Sequence, residues 1–436
     1  MGQRLWSFLY NSVQVIASPI SPFLLFYLYS KEKYRTQLPL RLGRVKEIKD
    51  IRRPVIWIHA LSLGEVNAAF PFIKEVRKNW QDATLLLTST TKTGLDALRK
   101  KAKTLSKPYH ITAMPFDVLP IIKRFLSTYN PDCFVLVETD VWPNLIWELK
   151  RRNIPGFLAS GSISSKSVSR SKLISSFFKE LYNAFTIISM QSEDDKKRLS
   201  QIGVNPDKLL CLGNFKFDIP LKDISKEKKN AIKKRYNIEE DEVVFVAGST
   251  HKGEEEIILE TFSKLKGHIN NLKLIIAPRD IKRSKEIEAL IDKFGFSYQL
   301  RTQIEKSLNT KNDILLIDTF GELIDCYLIS DLAFVGGSLV PIGGHNLFEP
   351  ASCGVGVLFG PYIESCKDMA GLLLDKRAGL MINKENIFNN TLELLSNRDK
   401  LSYMGKMAYK VVSDAGGAIK RHILVLDKIL NKKQLR

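Results

Sequence analysis

The sequence predicts an α/β protein made of two doubly wound domains, each with helices on both faces of a parallel β-sheet. Short β-rich runs alternate with amphipathic runs, which is the pattern of consecutive βαβ units. The alternation stops once, in a lysine-rich stretch at 219–228, and then starts again. The chain has 436 residues, 44% hydrophobic and 26% charged, and is long enough to bury two cores of similar size.

Each domain contains five predicted strands. In the first domain, residues 31–218, strands are predicted at 54–60, 83–90, 132–139, 155–160 and 185–192. In the second domain, residues 229–416, strands are predicted at 242–250, 272–278, 313–318, 332–338 and 354–361. A basic amphipathic helix at 417–436 follows, and we expect it to pack back on the first domain. Two such domains predict a cleft between them, where ligands bind beyond the carboxyl ends of the strands.

An apolar segment at 1–30 is expected to anchor the chain in a membrane. Residues 5–30 are 26 residues without a charge, whereas a helix needs roughly 20 apolar residues to cross the ~30 Å hydrocarbon core. Pro19 and Pro22 would kink the segment or divide it, so a spanning and a monotopic anchor both stay open. A signal peptide is disfavoured because no small-residue cleavage motif follows. Basic residues are denser after the segment than before it, which predicts a cytoplasmic protein body.

The net charge predicts an anionic partner. The 66 basic and 47 acidic residues give +19, which suits nucleic acid, an anionic membrane surface or an anionic substrate. Nucleic acid ranks last, because no nucleic-acid-binding motif is present. The five scattered cysteines include no CxxC pair, which argues against disulfides and a zinc site and fits a reducing compartment. The glycine patterns of dinucleotide-binding dehydrogenases and P-loop enzymes are also missing from the sequence.

Polar residues follow the predicted strands of the second domain. Thr250 is expected to cap a helix whose first amides could hold an anion. Arg279 comes one residue after a strand, where a guanidinium can clamp a phosphate or a carboxylate. Gly321 and Glu322 lie at a predicted helix start. These positions predict a site for an anionic ligand at one edge of the second sheet.

Two glycine pairs surround the turn after the strand at 332–338. The pair at 336–337 allows close approach of the backbone, and the pair at 343–344 forms a tight turn into a helix that begins near His345. Asn346 and Glu349 are three residues apart and share one face of that helix. Glu349 is either a first-turn acid that favours the helix dipole or a ribose-binding carboxylate. The second reading also explains the glycines, which we therefore expect to bring backbone amides against a bound nucleotide.

Acidic and basic residues also follow the strands of the first domain. Glu65 comes just after the first strand, at a helix start behind Gly64, where it is either a dipole-stabilising acid or a functional one. Glu138 follows another strand, and Lys216 lies at the junction of the two domains. A glutamate of one domain facing a nucleotide on the other is the layout of an inverting sugar transfer, in which a base deprotonates the attacking hydroxyl.

The ordered motifs of the chain resemble those of the transferases of 3-deoxy-D-manno-octulosonic acid (Kdo). The matching motifs, spread over roughly residues 1–420, are HALSLGEV, MPFDVLPIIKRFL, ETDVWPNLI, GNFKFD, AGSTHKGEE, APR, FGEL and FVGGSLVPIGGHNLFEPAS. The resemblance implies a GT-B fold of glycosyltransferase family 30, with two Rossmann-like domains. It also implies inverting, metal-independent transfer without a cofactor, from CMP-Kdo to the 6'-hydroxyl of the lipid A precursor, at the cytoplasmic face of the inner membrane of Gram-negative bacteria.

The resemblance also implies roles for individual residues. Glu65 matches the proton acceptor, and Glu138 and Lys216 match positions that stabilise the transition state. The CMP-binding positions are matched by Pro278, Arg279, Gly321, Glu322, Leu323, Asn346, Leu347, Phe348 and Glu349. Further candidates in the same motifs are His59, Ser62, Gly64, Ser249, Thr250, Gly337, Gly344 and His345.

Two departures from the family pattern concern the acceptor side. The chain reads SGSIS at 160–164 and carries Ile342 before a glycine pair, where arginines are common in the family. Two rival readings stay open: another GT-B enzyme, such as a UDP-sugar transferase or an epimerase, and a membrane-anchored nucleotide-binding protein without transfer activity. The sequence predicts neither the number of Kdo residues added, nor the acylation of the acceptor, nor the oligomeric state.

Overall fold

The computed structural model describes residues 2–44, 50–138, 140–164, 174–306 and 311–434. The chain divides into two compact units, Met1–Asp218 with Gly417–Arg436, and Ile219–Gly416. Each unit contains a seven-stranded sheet whose described strand pairs are all parallel. Met1 of the predicted anchor and the last two residues of the predicted C-terminal helix lie outside the described residues.

The sheet of the first unit has the order β3-β2-β1-β4-β5-β6-β7. Its strands are β1 Val55–His59, β2 Thr84–Ser89, β3 Tyr109–Ala113, β4 Cys133–Val137, β5 Gly156–Gly161, β6 Ile187–Met190 and β7 Leu209–Cys211. The described α-helices of the unit's N-terminal part are α1 Gly2–Ala17, α2 Ser21–Ser30, α3 Glu32–Arg35, α4 Leu38–Arg41, α5 Leu63–Asn79, α6 Lys92–Ala102, α7 Leu119–Tyr129, α8 Pro143–Arg151, α9 Ser175–Tyr182 and α10 Glu193–Gln201.

The sheet of the second unit has the order β10-β11-β9-β8-β12-β13-β14. Its strands are β8 Val243–Thr250, β9 Leu272–Pro278, β10 Tyr298–Leu300, β11 Ile314–Leu316, β12 Leu332–Val335, β13 Gly356–Phe359 and β14 Gly379–Met381. Its described helices are α11 Lys226–Arg235, α12 Glu254–Lys266, α13 Ser284–Lys293, α14 Leu323–Ile329, α15 Phe348–Ser352, α16 Lys367–Asp375, α17 Ile387–Ser396 and α18 Arg398–Ala415. The last helix of the chain, α19 Ala418–Gln434, belongs to the first unit.

The sequence pattern predicts the central strands and misses the edge strands. β1, β2, β4, β9 and β12 are buried along their whole length, so they read as continuous apolar runs. The missed strands β3, β7, β10 and β14 are the four edges of the two sheets. An edge strand pairs on one side only and is partly exposed, and its short sequence therefore lacks an apolar run.

The apolar N-terminal segment is divided into two helices. A 3₁₀ turn at Ser18–Ile20 separates α1 from α2, in keeping with the break that Pro19 and Pro22 predict. Among the described residues, no helix combines the length and the apolar character that crossing a bilayer requires.

The C-terminal helix α19 packs in the first unit. Ile423, Leu426 and Leu430 are buried in the apolar cluster that also contains Ile56 of β1 and Phe72 of α5. The predicted linker at 219–228 is shorter than expected, because α11 already begins at residue 226 and the N–H of residue 222 donates to a carbonyl of the second unit.

Gly336→Ala is expected to lower the free energy of unfolding of the second unit by about 1–3 kcal/mol. A Cβ at this position would lie 2.4 Å from the backbone carbonyl oxygen of Ser249. Urea denaturation measures the effect. Gly371→Ala in α16 is the matched control, since a Cβ there meets nothing within 4 Å. Equal stability of the two variants would contradict the close backbone approach at Gly336.

Candidate functional site

Glu65 lies in the first turn of α5, just after the carboxyl end of β1. The backbone N–H of Ser62 donates to Glu65 Oε2 over 2.8 Å, as in a capping box. Gly64 occupies the turn between them, with no heavy atom closer to an added Cβ than the Ser62 hydroxyl at 3.9 Å. The structural role of a first-turn acid is therefore present, and it uses one of the two carboxyl oxygens.

The environment of Glu65 favours its neutral form. The residue is only 8% exposed, and burial raises the pKa of its carboxyl to about 7. The N–H groups of Leu61 and Ser62 oppose this rise in the pKa, whereas the charges of Glu138 and Asp140 add to it. A carboxylate with a pKa near neutral can both take and release a proton at physiological pH, which is what a general base requires.

Glu138 and Lys216 form an ion pair at the same sheet edge. Lys216 Nζ lies 2.9 Å from Glu138 Oε1, and the carboxylate is the more buried partner, with side-chain exposures of 12% for Glu138 and 44% for Lys216. The pair fixes a cation that keeps access to solvent. The three predicted catalytic residues thus lie in one unit, and the charge of Glu138 acts on Glu65.

Left-handed backbone conformations cluster where these strands end. Glu138, Asp140 and Ser160 have φ values of 67°, 70° and 53°, which cost free energy in residues other than glycine. They follow or end β4 and β5, neighbouring strands of the sheet. Such strain persists only where the surroundings enforce it, and it is typical of functional sites.

A hydrogen-bond network positions the segment that carries Lys216. Its backbone N–H donates to Asn214 Oδ1 over 2.8 Å, and Asn214 Nδ2 donates to Gln191 Oε1 over 2.9 Å. Gln191 Nε2 donates in turn to the carbonyl oxygen of Ser160 over 2.8 Å. The N–H of Ser160 donates to Nε2 of His422 in α19, over 3.1 Å. The C-terminal helix thereby takes part in holding the lysine segment.

The tautomer of His422 follows from its partners. Nδ1 lies 2.7 Å from the carbonyl oxygen of Ala418, an acceptor, so Nδ1 carries the proton. Nε2 is then the acceptor that the N–H of Ser160 needs. Burial lowers the pKa of His422 to about 4, which keeps the ring neutral at physiological pH.

His59 lies in the core and not at the surface of the site. The ring is fully buried, its Nδ1 is 2.8 Å from Thr88 Oγ1, and it packs edge-on against Trp142. Burial lowers the pKa of His59 to about 3, and the charge of Arg41 acts in the same direction. Direct contact with a substrate, as the sequence suggested for His59, does not fit this position.

In the second unit, a buried carboxylate holds together three segments. Glu254, the first residue of α12, accepts N–H donors from His251 at 2.9 Å and from Gly337 at 2.7 Å through Oε2. Its Oε1 accepts the N–H groups of Ser338 at 3.0 Å and Leu339 at 2.9 Å. The side chain is fully buried, so these four donors replace its hydration.

This arrangement corrects the predicted role of the glycines. The N–H of Gly337 binds Glu254, and the N–H of Gly344 donates to the carbonyl oxygen of Gly337 over 2.7 Å. These two amides are occupied within the chain and do not face a nucleotide. The glycines are required for another reason: Gly337 and Gly344 have φ values of 70° and 77°, in the left-handed region that glycine tolerates best.

Two helix starts also differ from the sequence prediction. Thr250 is not a cap; it is buried at the end of β8, and Gly253, with φ of 93°, precedes α12. The helix expected near His345 begins at Phe348 instead. Asn346 therefore lies in the turn before α15, where its Oδ1 accepts the N–H of Phe348 over 3.0 Å.

His345, Arg279 and Glu349 influence one another in the second unit. His345 Nε2 lies 2.8 Å from His251 Nε2, with the two rings stacked. Burial lowers the pKa of His345 to about 4, and the charges of Arg279 and His251 act in the same direction. Burial raises the pKa of Glu349, which Arg279 and Asn346 oppose. The guanidinium of Arg279 forms no ion pair within the described part of the chain and stays exposed, which leaves it free to bind an anion.

Asn346 and Glu349 share one face, as their spacing predicts. Asn346 Nδ2 lies 3.5 Å from Glu349 Oε1. The intervening Leu347 and Phe348 are fully buried, so any contact of these two with a ligand would involve backbone atoms. Pro278 is likewise buried, at the end of β9.

The other predicted positions of the second unit lie around the start of α14. Glu322 pairs with Arg301, whose Nε is 3.0 Å from Oε1, and it also accepts the Thr319 hydroxyl. Its carboxylate is thus already engaged. Gly321 has φ of 91° and open space around it, and Leu323 begins the helix.

Ser249, near the end of β8, also adopts a left-handed conformation, with φ of 56°. Among the described residues, no three His, Cys, Asp or Glu side chains are grouped so as to hold a metal ion.

Comparisons with known proteins identify the family. Residues 36–219 match the family described as 3-deoxy-D-manno-octulosonic-acid transferase (kdotransferase). The chain is 30% identical to the 3-deoxy-D-manno-octulosonic acid transferase of Haemophilus influenzae, over 98% of this chain and 100% of that protein. The chain belongs to the Kdo transferase family.

Two further similarities place this Kdo transferase chain more broadly. It is 36% identical over 89% of its length to a bifunctional glycosyltransferase/methyltransferase of Fusobacterium nucleatum, and it covers 59% of that protein. It also resembles the crystal structure of UDP-GlcNAc 2-epimerase from Neisseria meningitidis bound to UDP-GlcNAc, with a TM-score of 0.56, 14% identity, and coverage of 86% of this chain and 99% of that one. The latter concerns the fold alone: two parallel-sheet α/β domains of the GT-B type.

Sequence reasoning missed three residues that organise these sites in the Kdo transferase chain. Glu254 and His251 lie in the motif AGSTHKGEE, but only a contact map would pair them with the Gly337 and His345 turns. His422 is a lone histidine on a basic amphipathic helix, a pattern that gives no signal for a buried hydrogen bond to a strand.

Glu254→Gln is expected to destabilise the second unit by about 2 kcal/mol or more, because an amide nitrogen cannot accept the N–H groups that one carboxyl oxygen now accepts. Thermal unfolding measures the change. Glu256→Gln, an exposed position in the same helical turn, is the matched control and should stay near the parent value. A Glu254 variant as stable as the control would show that the four N–H contacts contribute nothing to stability.

Proposed function

We propose that the chain transfers Kdo from CMP-Kdo to the 6'-hydroxyl of the lipid A precursor, with inversion at the anomeric carbon. Membership of the Kdo transferase family supports the transferred sugar. The observation that carries the mechanism is the half-engaged, buried carboxyl of Glu65 with a pKa of about 7. It lies in the same unit as a fixed cation, Lys216, and its partner Glu138.

In the proposed reaction, Glu65 takes the proton of the acceptor hydroxyl. The oxygen attacks the anomeric carbon of Kdo from the face opposite the nucleotide, and the bond to the phosphate of CMP breaks. CMP leaves with the electron pair of that bond as an anion. Lys216 stabilises negative charge that develops in the transition state, and Glu138 holds the lysine in place. No metal or cofactor takes part in this proposal.

The second unit supplies the proposed CMP site. The unpaired guanidinium of Arg279 suits the phosphate of CMP. Asn346 and Glu349, on one face beside it, offer an amide and a carboxyl for hydroxyl groups of the ribose. Neutral His345 adds a nitrogen whose hydrogen-bond role depends on its partner His251.

The proposed location is the cytoplasmic face of the inner membrane. An acylated acceptor resides in a bilayer, and α1 presents apolar side chains to solvent: Phe8, Val13 and Ile16 are 69%, 66% and 78% exposed. Exposed apolar side chains along one helix are typical of helices that lie in a membrane interface. The net charge of +19 favours an anionic membrane surface.

A second candidate is a sugar-nucleotide enzyme that uses UDP. The fold similarity to a UDP-GlcNAc 2-epimerase favours keeping it. A thermal-shift comparison separates the two: CMP should raise the midpoint of unfolding and UDP should not. Stabilisation by UDP alone would replace the proposal with this alternative.

Glu65→Gln is expected to lower the turnover number by about 10²–10⁴, the usual contribution of a positioned base, while its affinity for CMP stays near the parent value. The test incubates the full chain with freshly generated CMP-Kdo and tetra-acylated lipid A precursor and identifies the products by mass spectrometry. Glu75→Gln, on the same helix at a partly exposed position, is the control. Full turnover in the Glu65 variant would remove this residue from the mechanism.

The pH profile gives an independent test of the same group. Because a base must be ionised, kcat/KM should rise with pH and level off above about 7, the pKa of Glu65. The raised pKa also means that the folded state binds this proton more tightly than the unfolded chain. The resulting stability is complete below the ordinary value of 4.5 and is lost as the pH passes through about 7. A profile that is flat between pH 5 and 8, a window on the order of the expected titration, would contradict the assignment.

A further inference from the structure

The helix α1 docks on the first unit through polar side chains. Tyr10 Oη lies 3.1 Å from Asp117 Oδ2, Gln14 Nε2 donates to the carbonyl oxygen of Asp117 over 2.9 Å, and Asn11 Nδ2 lies 2.8 Å from Asn144 Oδ1. These residues recur at helical spacing on one side of α1. Their partners fix the rotation of the helix about its axis.

The opposite side of α1 is an apolar stripe that faces solvent. It consists of Leu5, Phe8, Leu9, Val13 and Ile16, which are 41–78% exposed. This is the reverse of an ordinary surface helix, whose apolar face packs on the core. Because the polar contacts fix the helix, the stripe cannot turn inward without breaking them.

A cavity of about 920 Å³ opens beside this stripe, between α1, α7 and α8. Four basic residues line it, Arg4, Lys123, Lys150 and Arg151, against one acidic residue, Glu148. The lining therefore carries a net charge of +3, from four basic minus one acidic side chain.

Pairing leaves most of this positive charge uncompensated. Glu148 is 3% exposed and is engaged by Arg151 at 2.6 Å and Arg152 at 2.8 Å. Arg4, Lys123 and Lys150 form no ion pair within the ranges that the structure describes. Three cations around one concavity repel one another, so an anion that enters it gains from all three.

The cavity and the stripe meet at Phe8. This residue lines the cavity and is also 69% exposed as part of the stripe. Trp147 forms part of the cavity wall, and its buried indole N–H has no acceptor in the described part of the chain. A concavity that is cationic, supplies a buried donor and continues into apolar surface matches a molecule with an anionic head and an apolar tail.

We propose that this cavity binds the phosphate-bearing head group of an anionic phospholipid, while the stripe of α1 lies among the adjoining acyl chains. The site is separate from Glu65, Glu138 and Lys216, and the bound lipid is not a reactant. The inference rests on the membrane location proposed above. It adds that the enzyme selects anionic bilayers through a built site and not through net charge alone.

Co-sedimentation with lipid vesicles tests the proposal. The full chain is mixed with vesicles of phosphatidylcholine alone or of phosphatidylcholine with phosphatidylglycerol, at an ionic strength of about 0.1 M. The double variant Lys123→Glu, Lys150→Glu should lose at least about 30-fold in affinity for the anionic vesicles, because each basic residue near an anionic surface contributes about 1 kcal/mol. Its binding to phosphatidylcholine vesicles should stay near the parent value.

The matched control makes the same charge change on another helix of the unit. Lys100 and Lys103, at the end of α6 and just after it, are exposed, and Lys100→Glu, Lys103→Glu should lose little affinity. Equal losses in both double variants would overturn the site and leave net charge as the cause. The milder Lys123→Gln, Lys150→Gln pair should show a smaller loss of the same kind if the glutamate variant folds poorly.

Two further arms separate this proposal from the membrane location itself. Phe8→Ser, Val13→Ser should weaken binding to both kinds of vesicle, because it acts on the stripe. A parent chain that binds neither kind would overturn the membrane location, whereas a parent chain that binds both equally would overturn only the head-group site. Inorganic phosphate should not compete beyond sodium chloride of matched ionic strength; full competition would overturn a lipid as the occupant.

Discussion

The buried carboxylate of Glu254 is the contact on which the geometry of the second unit depends. It joins the loop after β8, the start of α12 and the turn after β12 through four backbone N–H groups. That turn continues into the glycines at 343–344, which present His345, Asn346 and Glu349. A carboxylate that the chain itself supplies thus fills the place where the glycine pattern suggested an external anion, and the ligand-facing side chains are built outward from it.

The first unit solves a related problem with side chains. Glu138, Asp140 and Ser160 keep left-handed conformations at the ends of adjacent strands, and the hydrogen bonds around Ser160 restrain the segment of Lys216. Strain in the backbone and satisfaction of polar groups are therefore coupled: the same residues that cost conformational free energy are the ones whose N–H and C=O groups find buried partners.

Local signals in the sequence were enough for the central strands and for the residues that follow them. Glu65, Arg279 and Glu349 lie where a strand ends and a helix or turn starts, and the family motifs name them. Long-range contacts were not predictable: Glu254 binds Gly337, which is 83 residues away. The edge strands were missed because partial exposure removes the apolar run, and the helix near His345 was placed too early because Asn346 caps it from the preceding turn.

The position of α19 has a consequence for how the nascent chain folds. Residues 219–416 leave the ribosome as one continuous segment and hold all the strands of their sheet. The first unit, although translated earlier, receives His422 and the apolar side chains of α19 only when synthesis is almost finished. Until then the N–H of Ser160 lacks its acceptor, so the half of the protein that is made first is completed last.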